Sequence, residues 1–139
     1  MFLIRPHGPT TSKKGNTMGL DMYAYITKEP LTDEVDFASP EDARELHSWR
    51  KHPDLHGWME QRYRAKGGDA VEFNLRGVQL TADDLADLER AVRNKQLPET
   101  QGFFFGVSDG SEFEDDLLFI RKARAAIANG FTVFYDSWW

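Results

Sequence analysis

From Leu20 the apolar residues Leu20, Met22, Ala24 and Ile26 alternate with Asp21, Tyr23, Tyr25 and Thr27. That period of two is the signature of a half-buried strand, and Pro30 ends it. Ser39 stands before Pro40, with Glu41 and Asp42 behind it, so cap, first-turn proline and first-turn acids predict a helix running to about Lys51. Leu46, Trp49 and Ala43 would form its apolar face. Pro53 breaks the run and restricts His52 before it, which predicts a bend over residues 53–57. Residues 58–66 read as another short helix, stopped by Gly67 and Gly68.

Further along, Val71, Phe73 and Leu75 alternate with Glu72, Asn74 and Arg76 and predict a second strand. Thr81 is placed to cap a helix through the backbone of Asp83 or Asp84, with Leu85, Leu88 and Val92 as the inward stripe and an end before Pro98. Residues 103–107 predict a short strand, followed by a polar turn at 108–111. A long helix begins near Glu112 with Leu117, Ile120, Ala123 and Ile127 on one stripe. Its acids Glu112, Glu114, Asp115 and Asp116 precede Arg121, Lys122 and Arg124, the favourable order along a helix dipole. Asn129 and Gly130 stop it, and residues 131–135 give a closing strand. The irregular alternation predicts an α+β fold, a small, largely antiparallel sheet with three or four helices packed mainly on one face.

Residues 1–17 carry Pro6, Gly8, Pro9, Gly15 and the polar run from Thr10 to Lys14 without a sustained period, and read as a flexible extension ahead of a single domain over 18–139. The 139 residues suit one core. With 40% hydrophobic and 13% aromatic residues the chain is expected to fold, and its mean hydropathy of -0.58 reflects a charged surface. No apolar run reaches the roughly 20 residues that cross a bilayer, and Arg5 and Pro6 cut short the opening apolar residues, against a secretory signal. The absence of cysteine removes disulfides, thiolate metal sites and thiol nucleophiles, and accords with a reducing cytoplasm.

The net charge is -6, but Arg5, Lys13 and Lys14 are the only Lys, Arg, Asp or Glu before Met18. Residues 18–139 therefore set 14 of the 17 basic residues against all 23 acids, a net of -9. Such a domain is a poor partner for nucleic acid or an anionic membrane and a good one for a basic protein surface.

Three of the four histidines, His47, His52 and His56, fall within ten positions beside Trp49 and Trp58. Imidazole suits proton transfer and metal binding, although the spacing matches no standard metal motif. The plain alternative is two tryptophans anchoring short helices with histidines at their junction. The second cluster is Ser108, Asp109, Ser111, Glu112 and Asp116. Here Asp109, Glu112 and Asp116 could gather around a magnesium or calcium ion, or Ser111 could simply cap the last helix. No cofactor is assigned by the sequence, and a divalent cation is the sole candidate. For a hydrolase, His52, His56 and Asp109 are the candidate catalytic residues. Ser108 and Ser111 meet a histidine only if the fold joins distant segments. Nucleotide-binding glycine motifs are absent. Trp138 and Trp139 end the chain on opposite strand faces, one to complete the core and the other to cover a helix or a partner.

The segments 18–23 (MGLDMY), 49–58 (WRKHPDLHGW), 102–106 (GFFFG) and 109–139 resemble a group of small bacteriophage and prophage proteins, over nearly all of residues 18–139. Some members carry the label phosphoglycerate kinase. This chain lacks both the length and the nucleotide-handling segments of that two-domain enzyme. The resemblance implies a phage or prophage context and carries no catalytic roles with it. In that context the expected function is an accessory protein that binds and modulates a host or defence protein in the bacterial cytoplasm, with Trp49, Trp58, Tyr63, Trp138 and Trp139 as aromatic anchors. The alternatives are a metal-dependent hydrolase or nuclease using a His/Asp/Glu site, and a virion or assembly component, with a homodimer through the C-terminal strand.

Overall fold

The computed structural model describes residues 19–102 and 104–139. The expected N-terminal extension therefore lies outside the described residues, as does Phe103. The strands are β1 (Asp21–Thr27), β2 (Arg44–Arg50), β3 (Val78–Leu80) and β4 (Thr132–Trp138). The helices are α1 (Pro53–Ala65), α2 (Ala82–Arg93) and α3 (Phe113–Ala128). The strands form one sheet in the order β2-β1-β4-β3, with every pairing antiparallel. This is the expected α+β class.

Strand alternation sorts the sheet into two faces. Met22, Ala24 and Ile26 of β1 stand opposite Ser137, Tyr135 and Val133 of β4. These three pairs face the helices, and all but Ser137 belong to the main apolar cluster with Leu55, Met59, Leu85, Leu88, Phe119 and Ile120. The other face carries Tyr23, Tyr25 and Phe134, covered in part by Phe37, whose ring meets Phe134 edge-on at 5.1 Å. Among the described residues no helix is long and apolar enough to cross a membrane.

Several local expectations fail for identifiable reasons. The helix expected over 39–51 is instead a turn and the strand β2. Pro40 starts a single turn closed by Ala43 N–H to Pro40 C=O at 3.1 Å, while the Asp42 carboxylate accepts from the Thr27 hydroxyl and the Lys28 N–H. In β2, His47 faces Ala24 and Trp49 faces Met22, but Glu45 is the next residue paired, so Leu46 is an extra residue at a bulge. The three-residue spacing of Leu46 and Trp49 that mimics a helical face arises from that bulge.

The bend expected over 53–57 is the first turn of α1, with Pro53 at its first position. The helix expected to begin at Trp58 thus begins five residues earlier. The strand expected over 71–75 is irregular chain: Phe73 is buried, Val71 is exposed and Leu75 has a φ of 60°. Among the described residues its one ladder-like bond is Leu75 N–H to Ser137 C=O at 2.9 Å. Residues 104–107 form no strand either, and Phe104 has a φ of 60°. By contrast, α2 opens with the expected cap, a reciprocal box in which Thr81 Oγ1 accepts from Asp84 N–H and Asp84 accepts from Thr81 N–H.

Candidate functional site

The three clustered histidines diverge. Each finds a partner far along the chain. His47, on the helix-facing side of β2, lies against Trp49 and Phe119. Its Nε2 is 3.0 Å from Asp115 Oδ2, and Lys122 Nζ is 2.9 Å from its Nδ1. An ammonium can only donate, so Nδ1 accepts and Nε2–H donates to Asp115.

His56, in the first turn of α1, points into the core between Phe73, Phe105 and Tyr135. Its Nδ1 is 2.7 Å from the Tyr135 hydroxyl. Burial lowers its pKa from 6.5 to about 4, partly offset by a hydrogen bond to the Phe73 backbone. Burial, followed by the Asp136 charge, pushes the Tyr135 phenol well above 10.0. The neutral pair His56–Tyr135 is accordingly a satisfied core contact, shut away from solvent.

His52 occupies the junction between β2 and α1 and connects two other elements. Lys51 turns the chain with a φ of 57° while its N–H donates to Leu20 C=O at 2.8 Å. His52 is the cap residue of α1 but offers the helix no side-chain bond. Ser108 fills that role from a distant loop: its Oγ accepts from Asp54 N–H at 3.0 Å. The same Oγ is 2.7 Å from His52 Nδ1, and His52 Nε2 is 2.9 Å from Asp116 Oδ2. The second Asp116 oxygen accepts from Trp49 Nε1–H at 3.2 Å.

The Asp116 carboxylate can only accept, so His52 Nε2–H donates to it. In that neutral tautomer Nδ1 accepts from the Ser108 hydroxyl, whose oxygen in turn accepts from Asp54 N–H. His52 and Asp116 are buried, at 3% and 2% exposure, whereas Ser108 is half-buried.

The loop before α3 packs on this corner. A Cβ at Gly106, whose φ is +80°, would meet Lys51 Cβ at 2.9 Å. Val107 is 79% exposed and Phe104 48% exposed on the outer side. Beyond Ser108, Asp109 Oδ1 accepts from Ser111 N–H and Ser111 Oγ, which holds the Asp109 carboxyl below the usual range. The Glu112 carboxylate turns back to accept from Gly110 N–H at 3.0 Å and, at a longer 3.4 Å, from Asp109 N–H.

The candidate residues are thereby sorted. His52 and Asp116 come together with Ser108. His56 faces the core with Tyr135. Asp109 folds onto its own loop, and Glu112 holds that loop's backbone with one oxygen 3.9 Å from His52 Nδ1. Among the described residues no group of three or more His, Asp or Glu side chains is placed to hold a metal ion.

Of the expected anchors, Trp49, Trp58 and Tyr63 are core residues. The Arg62 guanidinium covers the Trp58 ring at 4.8 Å, and the Tyr63 hydroxyl donates to Asp36. Trp139 is held by its own chain through Nε1–H to Phe73 C=O at 2.8 Å and a 5.2 Å edge contact with Phe105. Trp138 pairs with Asp21 and lies on the sheet face away from the helices. Val107, Phe104 and the joining role of Ser108 carry no local signal, because each depends on where residues 104–112 land. No protein-family model, curated protein or solved structure matches the chain.

Proposed function

We propose that the chain is a bacteriophage or prophage accessory protein that acts in the host cytoplasm by binding a host or defence protein. The observation that carries this reading is the 79% exposure of Val107 on a loop tied down at the very next residue, Ser108, to His52 and Asp54. A fixed loop with an outward apolar side chain loses little conformational freedom on docking. Phe104 adds apolar surface, and its φ of 60° is the kind of backbone strain that concentrates at functional loops. Exposed Asp109 and Glu114 border the segment, so the complementary partner has an apolar pocket with a basic rim. The resemblance to phage and prophage proteins supplies the context.

Capture from a lysate of phage-infected bacteria on the immobilised full chain tests the reading. The expected result is a single host protein retained by the native chain and lost with Val107→Asp at unchanged melting temperature. Retention of nothing, or equal retention by both forms, contradicts it. A hydrolase is the second reading, favoured by the convergence of Ser108, His52 and Asp116. No donor set among the described residues supports its metal-dependent form.

A further inference from the structure

We infer that Ser108, His52 and Asp116 form a nucleophile, a base and an orienting acid able to hydrolyse a carboxylic ester, an activity separate from partner binding. Three features of the site go beyond simple helix capping.

The first is the order of groups. Activation of a serine requires a base within hydrogen-bond reach and a third group that fixes the base. Here the distances are 2.7 Å from Ser108 Oγ to His52 Nδ1 and 2.9 Å from His52 Nε2 to Asp116. The tautomer in which Nε2–H donates to the Asp116 carboxylate leaves Nδ1 to take the serine proton. The base and the acid are buried and Ser108 is half-buried, so the relay is shielded from water while the serine lies at its outer end.

The second is stabilisation of charge on the nucleophile. Asp54 N–H, in the first turn of α1, already donates to Ser108 Oγ at 3.0 Å, and the positive end of the helix favours an alkoxide there.

The third is a pair of amides accustomed to an anion. Asp109 and Gly110 direct their N–H groups at the Glu112 carboxylate, one oxygen of which is 3.9 Å from His52 Nδ1. Asp109 immediately follows the nucleophile. To serve an oxyanion formed at Ser108, these two amides would have to exchange the Glu112 carboxylate for it.

In the reaction, Ser108 Oγ forms a bond to the ester carbonyl carbon as its proton passes to His52 Nδ1. The carbon–oxygen bond to the leaving alcohol then breaks, and the alkoxide takes the proton from Nδ1. Water adds to the acyl-serine, giving a proton to Nδ1. Collapse releases the carboxylic acid and returns that proton to Ser108 Oγ. The Glu112 carboxylate, 3.9 Å from His52 Nδ1, disfavours an anionic phosphoester at the site. Exposed Val107 offers apolar contact. The fitting substrate is an uncharged or cationic ester with a small apolar acyl group.

An alkyl fluorophosphonate, which phosphonylates activated serines with loss of fluoride, tests this on the full chain with peptide mass spectrometry. The expected result is one adduct, on Ser108, formed about 100-fold or more faster than in His52→Gln. Hydrolysis of p-nitrophenyl acetate should also be lost in Ser108→Ala. Modification of Ser108 no faster than of the exposed Ser39, Ser48 and Ser111 would overturn the inference, as would esterase activity that persists in Ser108→Ala. The comparison among serines of the native chain decides the matter even if His52→Gln fails to fold.

Discussion

Ser108 Oγ lies 2.7 Å from His52 Nδ1, although the two residues are 56 positions apart. That contact joins the loop before α3 to the start of α1. It also gives the α1 backbone a cap that its own sequence does not supply. Ser108→Ala removes both the acceptor for Asp54 N–H and the donor to His52, so it should cost about 2 kcal/mol of stability. Urea unfolding measures this directly, and an unchanged midpoint would show that the cap contributes nothing.

Acid should weaken the fold in two stages. Folded His56 takes up a proton only at about pH 4, against 6.5 for an ordinary histidine. Between those values the unfolded chain binds more protons, so stability falls as pH falls, by roughly 3 kcal/mol in all. Asp84 acts lower. Burial raises its pKa, but Lys66 at 2.7 Å and the Thr81 donors outweigh burial and hold it below 3.8. Its contribution is present above 3.8 and disappears as pH drops through the lowered folded value. Urea unfolding from about pH 7.5 downward should show the first decline in the native chain. In His56→Leu that decline should be absent, while the lower one remains.

Gly57→Ala tests packing against propensity. In an open helix the change would gain up to about 1 kcal/mol. Here the added Cβ would meet Thr100 Oγ1 at 1.9 Å and Thr100 Cβ at 2.9 Å. Thr100 cannot easily retreat, because its N–H donates to Asp54 and its hydroxyl to Pro98 C=O. The expected outcome is a net loss of about 1–3 kcal/mol, seen as a lower melting temperature.

Ser137→Ala should have the opposite sign. Ser137 is fully buried, and among the described residues its Oγ makes no hydrogen bond of good geometry. It lies near enough to Tyr135 to offset part of the rise in that phenol's pKa, but the Tyr135 hydroxyl is directed at His56. Removing an unsatisfied buried hydroxyl should leave stability unchanged or raise it by about 1 kcal/mol. A clear loss in urea unfolding would mean that Ser137 donates a bond worth keeping.

The parts of the fold legible in the sequence are those whose signals are local. Strand β1 shows its alternation intact, α3 has its stripe and charge order, and α2 has Thr81 and Asp84 three residues apart at its start. The β2 strand is hidden because the bulge at Leu46 imposes a helical spacing and Pro40 closes a turn that looks like a helix start. The beginning of α1 is hidden because its cap comes from Ser108. The same non-locality governs the site. His52 and Asp116 stand out as reactive residue types, but their pairing depends on α3 crossing β2. Neighbours His47 and His56 look equally promising in the sequence, yet pack against Lys122 and Tyr135.

Partner binding and ester hydrolysis both require residues 104–112 to be fixed to α1 through Ser108, and ester hydrolysis requires in addition that His52 accept at Nδ1 and donate from Nε2. Long-range proton–nitrogen NMR correlations of the histidine rings, recorded at about pH 8 and assigned by the signal lost in His52→Gln, measure this directly. The predicted result is a single His52 tautomer with its proton on Nε2. A proton on Nδ1, or averaging over both nitrogens as in a solvated imidazole, would contradict it.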